Sequence, residues 1–493
     1  MGSRNVTYIK TRTSLKNPFI KSDMKKASYI IGVILLFCLP LIISAQSNKP
    51  NFIIILTDDQ GYSDLGCFGS PNIKTPNIDK MAAEGMKFTS FYAQTVCGPS
   101  RAALLTGSYP MRVARNDIGE SPHPKMSLSE ITIAEVLKPV GYKTCMIGKW
   151  DLAGHHDEKF NPDLLPMYQG FDYSFFAPTS NDAKMHLIRN KEVIELNTDM
   201  STLTRRYTDE AIGFIERNKE KPFFLYLAHT MPHTKLAVSD EFKGKSKGGL
   251  YGDVIEEIDY NVGRILKKIK ENGLDENTYI IFTSDNGPWW IRGEHAGHSV
   301  PLRGAKTSAW EGGLRVPFII RAPGKVPAGK TSDLVTATID LLPTIAKIAG
   351  AEMPTDRVLD GLDISAVFHG TSKELERPYF YYQHKELRAV RMGKWKLHLP
   401  RDLNSKSIAF RKWPIHIAPK DRVVFSKMML YNLDDDIGET HDVSDKYPEI
   451  VEQLSKQLEW AKKDIGDENK RGINARPLGN EPYFTPNNLI PSK

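Results

Sequence analysis

Cys97 closes a strand-like run, Phe91-Tyr-Ala-Gln-Thr-Val96, and stands just ahead of Pro99, which opens a helix-competent segment where a missing N–H is harmless. A nucleophile placed there faces the free N–H groups and positive end of a helix, a natural seat for an anion. Arg101 adds a permanent charge on a planar fork of donors. Two further pairs stand at the ends of apolar runs elsewhere, Asp58 with Asp59 and Asp285 with Asn286. Carboxylates joined by an amide oxygen are hard ligands, and they suit calcium or magnesium better than zinc.

These residues need elements that carry them to one place. Asn51–Thr57 is a continuous apolar run rich in β-branched residues, as expected of a buried parallel strand. It ends in Asp58-Asp59, and the carboxyl edge of an open α/β sheet is where ligands bind. Thr75–Gly85 reads as a helix, with Thr75 as N-cap, Pro76 in the first turn and Gly85 as the stop. Tyr142–Ile147 is a second strand, closing in Gly148-Lys149-Trp150-Asp151, and Pro222–Ala228 a third, leading into His229-Thr-Met-Pro-His233. Ile255, Ile258, Val262, Ile265, Leu266 and Ile269 recur at helical spacing and deliver the chain to Tyr279–Thr283, then Ser284-Asp285-Asn286-Gly287. The alternation predicts a large three-layer α/β domain over 46–376. From Arg377 short aromatic and alternating segments appear, with an amphipathic helix near Pro448–Ala461. They predict a small α+β subdomain with an antiparallel sheet over 377–465, then an extended tail over 466–493.

Cys97-Gly-Pro-Ser-Arg-Ala-Ala-Leu-Leu-Thr-Gly107 resembles the sulfatase signature C-x-P-S-R-x-x-x-L-T-G, whose cysteine the family oxidises to Cα-formylglycine (3-oxoalanine). Leu302-Arg-Gly-Ala-Lys306 and Glu311-Gly-Gly-Leu-Arg-Val-Pro317 look like the family's segment with a sulfate-binding lysine, so the resemblance spans nearly the whole mature chain. It implies an alkaline-phosphatase-like fold, three α/β/α layers built on a mixed, mostly parallel sheet, and a formylglycine-dependent sulfatase of type I. By the same resemblance Asp58, Asp59, Asp285, Asn286 and the oxidised Cys97 hold a divalent metal, calcium with magnesium as the other option. The formylglycine hydrate, polarised by the metal, attacks sulfur in line and displaces the alcohol. Arg101 holds the nucleophile region, Lys149 and Lys306 clamp the sulfate oxygens, and His233 lies near the leaving oxygen as general acid or sulfate contact. Fixed cations and a positioned donor suit a reaction in which charge moves onto the bridging oxygen as it leaves. The resemblance also implies a maturation partner, a formylglycine-generating or anaerobic sulfatase-maturating enzyme.

The family usually reads Gly-Lys-Trp-His-Leu-Gly where this chain reads Gly148-Lys-Trp-Asp-Leu-Ala153. The absent histidine is the one thought to take a proton from the hydrate. Asp151, ionised beside a metal and lysines, is read as its replacement; His155 or His156 folding back, or a slow or silent relative, are the other readings. Trp289 and Trp290 offer a flat face to a sugar ring, and Arg292, His295 and His298 on the same loop are candidates to read neighbouring anionic groups. Lys184, His186 and Lys235 are further rim candidates.

Composition bounds the rest. The chain has 493 residues and a net charge of +7, but its first 45 residues carry seven basic residues and one acid, which leaves +1 for the remainder. That is no global basic field, and nucleic acid is excluded as a partner. Lys25 and Lys26 precede an apolar run, Tyr29–Ile43, and Ile43-Ser-Ala45 is a small-residue cleavage site. Residues 1–45 therefore read as a secretory signal, with Met24 a possible true start, and the product as exported to the periplasm or medium with no stable membrane span. The mature chain keeps Cys67, Cys97 and Cys145, too few for a disulfide framework. Basic pocket residues in a near-neutral protein suit a sulfated glycan better than a small aryl sulfate. The competing classes are a phosphonate monoester or phosphodiester hydrolase on the same fold, and a silent sulfoglycan-binding relative motivated by Asp151.

Overall fold

A computed structural model describes residues 49–113, 126–154, 160–182, 184–400, 426–468 and 470–477, with 2, 7 and 9 singly. His155, His156, most of the expected signal segment and the tail beyond 477 lie outside the described residues.

The strand-like runs all enter one sheet. β1 (Asn51–Thr57) pairs in parallel with β7 (Phe223–Ala228) on one side and β8 (Thr278–Ser284) on the other. β3 (Lys143–Lys149) follows β7 in parallel, and β4 (Tyr173–Ala177) follows β3. Beyond β4 the strands β5 (His186–Arg189) and β6 (Glu192–Leu196) turn antiparallel and form one edge. At the other side β9 (Arg315–Arg321) is antiparallel to both β8 and β2 (Met86–Tyr92). Short β10 (Lys330–Ser332) and β11 (Thr336–Ala337) complete an 11-stranded mixed sheet.

The pleat explains why β1 is apolar throughout. Phe52, Ile54 and Leu56 enter one buried layer, with helix α2 (Cys97–Thr106) and helix α5 (Leu341–Ala349). Ile53 and Ile55 enter the opposite layer, with α1 (Pro76–Ala83), α3 (Leu203–Asn218) and α4 (Gly249–Glu271). Three layers result, as the strand–helix alternation predicts.

A second sheet holds four antiparallel strands in sequence order, β12 (Pro378–Gln383), β13 (Glu386–Met392), β14 (Trp395–His398) and β15 (Met429–Asn432). Helix α6 (Pro448–Asp464) packs Leu454 and Leu458 into the core beside it. Gly466–Asp467 then pairs with Lys470–Arg471, and Arg476 reaches the Glu130 carboxylate at 2.9 Å.

The α1 termini differ from the sequence expectation. Thr75 is the N-cap residue, but its side chain does not cap. Asp259 of α4 does so instead, accepting from the Ile78 amide at 2.8 Å and the Asn77 amide at 3.0 Å. The helix ends at Ala83, and Gly85 serves β9: a Cβ there would meet the Ile320 carbonyl at 2.1 Å.

Candidate active site

The carboxyl ends of β8, β1, β7 and β3 lie side by side, so Asp285, Asp58, the His229–His233 turn and Lys149 converge on one edge of the sheet. Strand β3 approaches β7 closely at its end: Gly148 has φ of 103°, and a Cβ there would lie 1.8 Å from the Ala228 carbonyl. Cys97 comes from another direction as the first residue of α2. Arg101 sits one helical turn later on the same face. Gly107, with φ of 65°, ends that helix in the left-handed conformation, which accounts for the last glycine of the motif.

The Cys97 Sγ, standing where the oxygens of an oxidised residue 97 would be, lies 3.2 Å from Asp58 Oδ1, 3.6 Å from Asp59 Oδ1 and 3.0 Å from Lys306 Nζ. Lys306 Nζ also donates to Asp59 Oδ1 at 2.5 Å, and Lys149 Nζ to Asp58 Oδ2 at 2.6 Å. Arg101 is wholly buried; its Nη2 donates to Asp285 Oδ2 at 2.8 Å and its Nη1 to the Lys149 carbonyl at 2.7 Å. The Asp59 amide donates to Asp285 Oδ1 at 3.1 Å, and Asn286 Nδ2 to Asp59 Oδ1 at 2.7 Å. His233 Nε2 lies 3.6 Å from Asp59 Oδ2 and 3.8 Å from Asp182 Oδ2.

Charge in this cluster follows from burial and its partners. Burial pushes the Asp58 carboxyl up, but Lys149, His233, Arg101 and Lys306 outweigh it and hold the group well below the usual carboxylate range. Asp59 is raised by burial and by the adjacent Asp58 charge, against the pull of Lys306. Asp285 is pushed up to about 7 by burial and Asp58, although Arg101 opposes. Burial disfavours charge on Lys149 and Lys306, but Asp58 and Asp59 respectively keep both ammonium groups protonated. The Cys97 thiol is raised well above its ordinary value by burial and Asp58, so the unmodified side chain is a poor thiolate nucleophile.

Among the expected metal ligands, two buried oxygens, Asp59 Oδ2 and Asn286 Oδ1, have no hydrogen-bond partner. An orphaned buried acceptor is costly unless something else satisfies it. Ligand atoms of Asp58, Asp59, Cys97 and His233 all lie within 4.8 Å of one another. The carboxylate oxygens of Asp58 and Asp59 at this spacing, together with the orphaned Asn286 Oδ1, are hard donors that fit a divalent cation.

Asp151 is fully buried, and its Oδ2 lies 3.8 Å from Lys149 Nζ. Asp151, Asp59 and Thr307 all have positive φ, at 56°, 64° and 71°. Such backbone persists where the surroundings enforce it, and it gathers at working sites. The left-handed region also explains a point of sequence: Asp and His both tolerate it, so either can occupy position 151.

Of the rim candidates, the structure brings Trp289 and Arg292 to the cluster. The half-buried Trp289 ring lies 5.3 Å from the His233 ring, with Lys306 Nζ at 4.7 Å and the Arg292 guanidinium at 4.6 Å. The indole thus packs against cations as well as offering a rim surface. Trp290 opens the segment Trp290–His295, two short helical turns kinked at Gly293, and His295 is exposed at its end. His298 is committed elsewhere, its amide donating to Asp64 Oδ1 at 2.9 Å and its Nδ1 lying 3.4 Å from the same oxygen. His186 is buried on β5, while Lys184 and Lys235 are exposed. His229 is buried and held neutral, its pKa lowered to about 4 by burial alone.

Sequence reasoning missed the loop after β4. Ser180 Oγ lies 3.5 Å from Lys149 Nζ, Asn181 Nδ2 donates to the His233 carbonyl at 3.0 Å, and Asp182 stands between His233 and Arg292. The available signal was the run Tyr173–Ala177, whose carboxyl end lies on the same sheet edge.

Residues 50–351 match the family described as Sulfatase, and residues 374–478 the one described as the C-terminal region of aryl-sulfatase. The chain is 39% identical over 373 residues to an arylsulfatase of Hemicentrotus pulcherrimus, covering 71% of this chain and 67% of that protein. It is 39% identical over 381 residues to the N-acetylgalactosamine-6-sulfatase of Canis lupus familiaris, covering 71% and 72%. Among solved structures, a sulfatase studied for glycosaminoglycan metabolism by Bacteroides thetaiotaomicron superimposes with a TM-score of 0.73 at 28% identity, covering 84% of this chain and all of that one.

Proposed function

The chain belongs to the sulfatase family and hydrolyses sulfate esters, and we propose that its substrate is an O-sulfated glycan and its reactive residue Cys97 carried as formylglycine. The observation that carries the reading is the position of Cys97 Sγ, 3.2 Å from Asp58 and 3.0 Å from Lys306 in a buried cluster with orphaned oxygens.

Asp58, Asp59, Asp285 and Asn286 would hold a divalent cation, calcium by the hardness of the donors. Formylglycine beside that cation would supply a polarised oxygen nucleophile for attack on sulfur. The chain's own residues do the rest. Arg101 fixes Asp285 against the Lys149 carbonyl and so sets one wall of the site. Lys149 and Lys306, kept charged by Asp58 and Asp59, stabilise the sulfate oxygens as negative charge redistributes. His233, at the rim end of the cluster, donates a proton to the leaving oxygen, and Asp151 accepts one from residue 97. Such positioned acid–base groups contribute about 10²–10⁴-fold each.

The glycan reading is supported by the names of the relatives and by the rim, where Trp289, Arg292 and Asp182 offer an aromatic edge and both charges. Export rests on residues 1–45, and among the described residues no helix is long and apolar enough to cross a membrane. The domain limits 46–376 and 377–465, with the tail from 466, are part of the same proposal, as is a maturation enzyme that oxidises Cys97.

The test is sulfate release by ion chromatography from protein co-expressed with a maturation enzyme. Oligomers of sulfated algal polysaccharides and glycosaminoglycans, a small aryl sulfate and a phosphonate monoester form the panel, with Cys97→Ala as control. Release from a glycan that is absent in the control is expected. Turnover of the aryl sulfate or phosphonate alone would overturn the glycan assignment.

A further inference from the structure

Lys306 is held from three directions. Its own amide donates to the Pro288 carbonyl at 3.0 Å, in the loop that follows Asp285 and Asn286. The next amide, of Thr307, donates to the Thr95 carbonyl at 2.9 Å, two residues before Cys97. The third hold comes from the small antiparallel sheet: Gln383, the last residue of β12, donates from Nε2 to the Thr307 carbonyl at 2.8 Å.

The neighbourhood makes this third bond consequential. Thr307 has φ of 71°, a conformation that a β-branched residue keeps only when its surroundings impose it. Beside Gln383, the Tyr382 carbonyl accepts from Thr95 Oγ1 at 3.2 Å, so the end of β12 grips the nucleophile loop and the lysine loop together. Further along, Lys396 of β14 donates to the Ala309 carbonyl at 3.0 Å and Arg303 to the Glu439 carbonyl, in the loop after β15, at 2.7 Å, which anchors the remainder of the segment to the sheet and that loop. Of these contacts from the small sheet and its loops, the Gln383 bond is the one that falls next to Lys306 in sequence.

We propose that Gln383 is a positioning residue for sulfate recognition, acting through the Thr307 carbonyl to hold Lys306 at residue 97. The inference rests on the proposed sulfate-clamping role of Lys306, and the small subdomain gains a part in the reaction without touching the sulfate.

The test is a double-mutant cycle on the full chain in calcium-containing buffer, read by calorimetric titration with inorganic sulfate and by kcat and KM for the released ester. Gln383→Leu should weaken sulfate binding by about tenfold, the scale of one hydrogen bond. In a Lys306→Ala background the same change should have no further effect, because its target is gone. Gln383→Glu, isosteric but without the donor, serves if the leucine variant does not fold, and should reproduce the loss. Equal losses with and without Lys306, or full affinity in both Gln383 variants, would overturn the proposal. If the matured wild type releases no sulfate from any ester, the functional reading fails on its own, while the binding cycle still decides the role of Gln383.

Discussion

The cluster around Cys97 and the cluster around Glu311 are both buried and both mix acids with cations, but they are completed differently. Around Glu311, each carboxylate oxygen has a donor within the chain. Tyr381 and Lys396 reach Oε1 at 2.8 and 2.9 Å, and Tyr92 and Arg315 reach Oε2 at 2.6 and 3.2 Å. Glu439 is equally served, by Lys396 at 2.8 Å, His398 at 2.7 Å and the Glu311 amide at 2.8 Å. Around Cys97, Asp59 Oδ2 and Asn286 Oδ1 stay without a hydrogen-bond partner. Buried charge alone therefore does not mark a working site. Nor does left-handed backbone, which Glu439 shares at φ of 52°. What separates the two clusters is the pair of unsatisfied oxygens, which leaves acceptors for something outside the chain to complete.

The comparison can be pressed first where the effect is largest. Glu311→Ala leaves Lys396, Arg315 and Arg391 facing a lost carboxylate, and unfolding in urea should show a loss of about 3–5 kcal/mol. A loss below 1 kcal/mol would mean that the network is dispensable. Next comes a change on the site side. Asp151→Asn keeps a residue that accepts φ of 56°, so stability should hold while kcat falls about 10²-fold. Asp151→His should retain turnover; if Asn and His variants both match the wild type, Asp151 is not the base.

Metal then separates the two clusters. Adding calcium at a hundred times its dissociation constant to EDTA-treated protein should stabilise it by about 2.7 kcal/mol in thermal unfolding. Asp285→Asn should abolish that response, and Glu439→Gln should leave it intact. Retention in Asp285→Asn would move the metal elsewhere. The smallest effect is one of pH. Burial, joined by the Glu311 charge, pushes Glu439 up to about 7 against the pull of Lys396. A folded pKa above the unfolded one means that the folded state holds the proton longer. This contribution to stability is present below the unfolded pKa and fades as pH rises from about 4.5 to about 7. Urea unfolding at intervals across that window should show the decline, and Glu439→Gln should flatten it; an unchanged slope would assign it to another group.

Much of this was legible in the chain because it is local. The continuous apolar run of Phe52 to Leu56, the turn-forming ends at Asp58-Asp59 and Asp285-Asn286, and the Cys97–Gly107 motif each lie within one short window. Parallel strands bring such windows together without further information, since their carboxyl ends share an edge. What stayed hidden depends on partners far apart in sequence. Asp259 caps a helix that begins at Pro76, and Glu439 bonds the amide of Glu311 across 128 positions. The antiparallel direction of β9 and the loop of Ser180 to Asp182 belong to the same class, for no periodicity records which neighbour a strand will meet. The small sheet's grip on Lys306 was hidden for that reason too.

The central claim is that residue 97, once oxidised, is the reactive centre of the Asp-rich cluster. The most direct measurement sets the rate of sulfate release against the fraction of Cys97 carried as formylglycine, determined by peptide mass spectrometry across preparations made with and without a maturation enzyme. The rate should rise in proportion to that fraction and vanish with it. Turnover that persists at zero conversion, or that ignores the fraction, would contradict the account.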